Sequence, residues 1–121
     1  MAAEYPRKLI VFAALSAALA VIAGALGAHV APTDLHTQWY RTGAEYQMIH
    51  AVGALAAGQI APRAGWTLLA GAMLFSGTLY AMAMGGPRWL GAVTPIGGVA
   101  MIGGWLLLAV VVLRQSDSAP S

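Results

Sequence analysis

Cysteine is absent from the 121-residue chain, which excludes disulfides, thiol catalysis and cysteine-based zinc sites. Charge is almost as scarce. Six Lys or Arg and four Asp or Glu make up 8% of the residues, against roughly 25% in an ordinary soluble domain. A soluble bundle of this length needs more charge to cover its outside, so lipid is the expected solvent. The net charge is only +2, and the basic residues stand near segment ends, as orientation signals do; no nucleic-acid surface is expected. Enzyme signatures are missing too: no G-x-S-x-G elbow, no phosphate-cradling glycine loop and no carboxylate pair within one apolar span. Three histidines occur, but none stands at HxxxH or HExxH spacing. His29 and His50 are expected ~16 Å apart along a helical bundle, too far for one metal with ~2 Å bonds. Neither a metal nor a cofactor is expected.

What is present is apolar length. Four stretches, residues 8–29, 39–60, 64–85 and 95–114, each approach the ~20 residues needed to cross a bilayer as a helix. Pro6, Pro32, Pro62, Pro87 and Pro95 fall at or between their ends, as residues tolerated in a first helical turn but not in a helix interior should. Thr94–Pro95 reads as an N-cap followed by an N1 proline, and "GGPRWLG" as a tight loop. The alternation of a membrane barrel is missing. The expected architecture is therefore an all-α, integral membrane four-helix bundle. Short connections make it up-down-up-down, in one domain over 1–121 with tails at 1–7 and 115–121. Small residues four apart, such as Gly53/Ala57 and Ala100/Gly104, allow close helix contact. Arg7, Lys8, Arg63 and Arg114 outnumber Arg41 and Arg88 in a way that puts both termini in the cytoplasm. Arg7–Lys8 followed by an apolar run also resembles a cleavable signal peptide, but the run exceeds the ~7–15 residues of a signal core.

The polar residues gather in one place. "RTGAEYQMIH" (41–50) contains Arg41, Glu45, Tyr46, Gln47 and His50 at the head of an otherwise apolar run. With Trp39 at the interface, Glu45 lies ~9 Å and His50 ~16 Å into the membrane. Ser76 and Tyr80 come to a similar level, and His29 to the same edge. The expected polarity is one-sided, in the outer half. Helical rotation puts Arg41 and Glu45 on one face and Tyr46 and His50 on another. A helix polar on several faces cannot front lipid there, so the second helix is expected to be the most enclosed at that end, unless Thr33–Asp34 starts it earlier. Arg41 and Glu45 form an expected ion-pair brace. His50 is read either as a proton relay with Tyr46 or as a buried ring bonded to Ser76, a tyrosine hydroxyl or a backbone carbonyl. Trp105 reads as packing.

The motifs "GALGAH" (24–29), "YQMIHAVGAL" (46–55), "LFSGTLY" (74–80) and "RWLGAVTPIGG" (88–98), in this order, resemble those of domain of unknown function 423. That is a family of small four-helix membrane proteins with bacterial inner-membrane members and animal relatives called transmembrane protein 256. The resemblance spans about Leu9 to Leu113 and implies four spans in a bacterial cytoplasmic (inner) membrane, without an assigned activity. Three functional classes follow from the residues. A structural or accessory bundle has membrane lipids, further copies of the chain or a larger membrane complex as partners. A small-solute or proton conductor would use Glu45 and His50, although the inner half lacks a polar path. An enzyme acting on a lipid-borne substrate through Glu45 or His50 lacks a nucleophile and a metal. The first class fits the sequence best.

Overall fold

The computed structural model describes residues 5–118. Within them the chain forms α1 (Arg7–His29), α2 (Asp34–Gly58), α3 (Pro62–Ala83) and α4 (Thr94–Ser118), with a 3₁₀ helix over Arg88–Ala92 ahead of α4 and no strand among the described residues. Local chemistry explains the limits. Thr33 caps α2, its hydroxyl oxygen accepting from the His36 backbone N–H at 3.2 Å, and Asp34 follows in the first turn. This cap starts α2 five residues ahead of the expected Trp39, at Asp34. Pro62 occupies the first turn of α3. Gly85, at φ +99°, turns the chain away after α3, a conformation that disfavours any side chain.

Two local expectations are corrected. "GGPRWLG" is partly a 3₁₀ helix. The Thr94 hydroxyl does not cap α4; it donates to the Leu90 carbonyl at 3.1 Å and meets the Thr78 hydroxyl at 2.6 Å, tying α4 to α3. At the C-terminus α4 continues past Arg114 to Ser118. Of the expected tails, residues 1–4 and 119–121 lie outside the described residues.

The helices pack in chain order. α2 and α3 lie along one another at the centre, α1 mainly on α2, and α4 mainly on α3, with α1 and α3 only touching. Close approach comes from glycine. A β-carbon on Gly97 would sit 2.5 Å from the Phe75 backbone nitrogen and 2.7 Å from the Gly71 carbonyl oxygen, so α3 and α4 cross backbone to backbone. Leu9 fills the corresponding space against Gly58 and Gly65, next to Ala13, Ala54 and Leu69. The outside is apolar: Val11, Leu15 and Ile22 on α1, and Val99, Ile102 and Leu106 on α4, are all more than half exposed. Three helical segments are long and apolar enough to cross a membrane: α1, α3, and α4 with its preceding turn. α2 is not among them, because its polar residues interrupt its apolar ones.

The expected enclosure of the start of α2 is also corrected. Arg41, Glu45 and Tyr46 are exposed, whereas Tyr40, Gly43, Gln47 and His50 are buried. α1 and α3 cover two sides of α2, and α4 packs mainly on α3 and reaches α2 further along through Trp105, which leaves Arg41 and Glu45 exposed.

Candidate functional site

The buried polar groups form a network centred on Gln47, which is only 3% exposed. Its side-chain nitrogen donates to the Ser16 hydroxyl oxygen of α1 at 3.0 Å. Its carbonyl oxygen accepts from the Tyr80 hydroxyl of α3 at 2.7 Å. Tyr80 begins near the end of α3, but helical side chains lean towards the N-terminus, which carries its hydroxyl down to mid-helix. Gly43 makes room for the ring: a β-carbon there would lie 2.5 Å from Tyr80 Cε1. Beside it, Ser76 donates to the Gly43 carbonyl at 2.7 Å, so the third helix holds the second by side chain and backbone together.

His50, one turn further along α2, makes a separate pair of bonds that reaches α4. Its Nδ1 lies 2.7 Å from the Tyr46 carbonyl oxygen, and its Nε2 accepts from the Trp105 indole N–H at 3.1 Å. A carbonyl can only accept and an indole N–H can only donate. Both bonds therefore require the neutral ring with its proton on Nδ1. The Tyr46 ring stacks on His50 at 5.9 Å and tilts against Phe75 at 4.7 Å, covering the imidazole. Among the described residues no buried side-chain polar atom lacks a partner.

The structure thus brings together Gln47, Ser76 and Tyr80, with His50 one turn further along α2. It leaves three residues of the group apart. His29 ends α1, exposed at the edge of the bundle. Arg41 and Glu45 are exposed on α2, lining a recess of about 230 Å³ between α1 and α2 with Gly24, Ala28, Thr37 and Ala44. The expected brace does not close: among the described residues, Arg41 and Glu45 make no ion pair within 4.0 Å. Gln47, not Glu45, links α2 to the first and third helices, and His50 links it to the fourth. The one-sided polarity is revised as well. The polar groups reach mid-helix: Gln47 lies ~20 Å from the Asp34 end of a helix ~37 Å long and there bonds Ser16. Sequence reasoning missed Ser16 and Trp105 as members. The available signal was a hydroxyl and an indole N–H at depths where each needs a partner.

A second feature adjoins the network. α1 and α3 only touch over the face of α2, and between them lies a cleft of about 250 Å³ whose aliphatic walls are themselves exposed on the apolar exterior. Leu19, Ile22, Leu26, Met73 and Met84 line it, and Gln47, Ser76 and Tyr80 meet it at its base. Gly77 borders the cleft with nothing within 4 Å of where its β-carbon would stand.

The family model for Protein of unknown function (DUF423) matches residues 23–98. A UPF0382 membrane protein of Staphylococcus epidermidis is 41% identical over 118 residues, covering 89% of this chain and 97% of its own. The UPF0382 membrane protein YwdK of Bacillus subtilis is 38% identical over 120 residues, covering 89% and 98%. The UPF0382 inner membrane protein YgdD of Escherichia coli K12 is 36% identical over 119 residues, covering 89% and 91%. No solved structure matches. The all-helical fold, the apolar exterior and these relatives agree with the motif resemblance, and the chain belongs to the DUF423 family of membrane proteins of unknown function.

Proposed function

We propose that the protein is a four-span accessory protein of the bacterial cytoplasmic membrane that seats the apolar tail of a membrane lipid between α1 and α3. The observation that carries this reading is the cleft, with exposed aliphatic walls and the Gln47–Tyr80 pair at its base. A dry cavity of ~150 Å³ holds a benzene-sized molecule, so about 250 Å³ suits a stretch of lipid chain. It is too small for a helix ~10 Å across. Lipid reaches such a cleft by lateral diffusion, without crossing water.

α2 serves as the fourth span. It joins the end of α1 to the start of α3 along their full length, and its ~37 Å exceeds the ~30 Å hydrocarbon core. Internal hydrogen bonds offset the cost of placing Gln47 and His50 there. The distribution of basic residues supports cytoplasmic termini. Proton conduction through Glu45 and His50 is disfavoured, because both imidazole nitrogens are engaged and Glu45 lies outside the network.

The test uses Gly77→Leu, which fills open space in the cleft. Protein purified in mild detergent should carry co-purifying lipid, and the variant should retain less than half as much while melting at the wild-type temperature. Equal lipid in both proteins refutes the cleft as the seat. Reconstituted wild type should show no pH-gradient-driven proton flux above empty liposomes.

A further inference from the structure

The outer face of α2 presents a problem that the cleft does not address. Arg41 and Glu45 are both exposed, one helical turn apart, and among the described residues neither closes an ion pair with the other. On the reading that α2 crosses the membrane, this face fronts hydrocarbon, where an uncovered carboxylate is strongly disfavoured. Something covers it. The two charges border a recess between α1 and α2 whose other walls are small, Gly24, Gly27 and Ala28 of α1 with Ala44 and Thr37 of α2, so no bulky side chain of this chain shields them.

We infer that this face is the interface of a symmetric dimer, in which Arg41 of each copy pairs with Glu45 of the other. Charge complementarity selects this occupant. The patch carries one cation and one anion, separated by ~6 Å along the helix axis. A two-fold axis along the membrane normal keeps equivalent residues at equal height and sets each patch against its own copy, as an isologous interface requires. A long arginine side chain spans the height difference, so two reciprocal pairs form and the four charges sum to zero. A lipid covering the face would have to place a cationic group well below the Trp39 level to meet Glu45. A second copy brings its cation on a helix already at that depth.

The absence of cysteine makes the test direct. Ala28→Cys, in the recess, should cross-link to its own copy when native membranes are oxidised, giving a band of twice the chain mass. Val99→Cys, on the exposed face of α4, should give none. Adding Arg41→Glu or Glu45→Arg to Ala28→Cys should cut the dimer band at least fivefold, and combining both should restore it, because the exchanged charges again pair across the axis. If a reversed charge prevents insertion, Arg41→Gln and Glu45→Gln read out the same loss. A monomer only, a band of another mass, preferential cross-linking from Val99→Cys, or a dimer indifferent to single charge reversal would overturn the inference. Labelling of Val52→Cys, on the exposed side of α2, by a membrane-impermeant maleimide separates the premise from the conclusion. A dimer whose Val52→Cys labels freely disproves the α2 span but retains the pairing.

Discussion

The two sides of α2 solve the same problem differently. On its inner side, Gln47 and His50 are buried and every side-chain polar atom has a partner within the chain. On its outer side, Arg41 and Glu45 stand exposed, with no ion pair between them. The inner groups are neutral and short, and three helices supply their partners: Ser16 from α1, Tyr80 from α3 and Trp105 from α4. The outer groups are charged, and the recess around them offers glycine, alanine and the single hydroxyl of Thr37. Helix position alone therefore does not distinguish a self-contained polar group from one that needs an outside partner. The contrast depends on which neighbours the packing brings within reach.

The contrast can be broken most forcefully at Gly43. Gly43→Val drives a side chain into the Tyr80 ring and displaces the hydroxyl that meets Gln47. Overpacking alone costs ~1–3 kcal/mol, so this variant should show the largest fall in melting temperature in detergent. Gln47→Leu comes next. It strips partners from Ser16 and Tyr80 at once, and at about 0.6 kcal/mol for an average intramembrane hydrogen bond the loss is ~1–2 kcal/mol. A double variant with Tyr80→Phe should then cost little more than Gln47→Leu alone, a non-additivity that the same melting assay reads. Trp105→Phe removes a single bond, to His50, and should cost ~0.6–1 kcal/mol. In 15N NMR spectra it should also release the histidine from its single tautomer. At the outer face, Glu45→Gln should leave the melting of detergent-separated monomer within ~0.5 kcal/mol of wild type. An equal loss at Glu45 and Gln47 would erase the distinction between the two sides.

Much of the frame was legible from residue order. Five prolines and the apolar lengths located four helices, and Thr33–Asp34 carried the earlier start of α2. The motifs gathered Tyr46, Gln47, His50, Ser76 and Tyr80 into one group. What could not be read was partnership. Whether Gln47 or Glu45 faced the interior depends on how far α1 rotates about α2, and that is decided by fits such as Gly27 against Tyr40 and Gly43 against Tyr80. Trp105 and His50 are 55 positions apart, so no local spacing could pair them. The error about depth had a simpler source. Placing Tyr80 by its Cα ignored a side chain that leans along the helix and delivers its hydroxyl near the centre.

The arrangement of α1 on α2 and α4 on α3 also bears on biogenesis. α1 and α4 are apolar enough to partition into lipid alone, but, on the proposal that α2 is the fourth span, α2 without α1 and α3 would carry Gln47 into the bilayer unpartnered. During synthesis, α2 should therefore remain at the insertion machinery until α3 has emerged. A ribosome-bound nascent chain ending before α3 should keep Val52→Cys reactive to a water-soluble thiol reagent, and extension through Ala83 should protect it. The helix with the richest side-chain chemistry would leave the aqueous channel only in company with the helix that follows it.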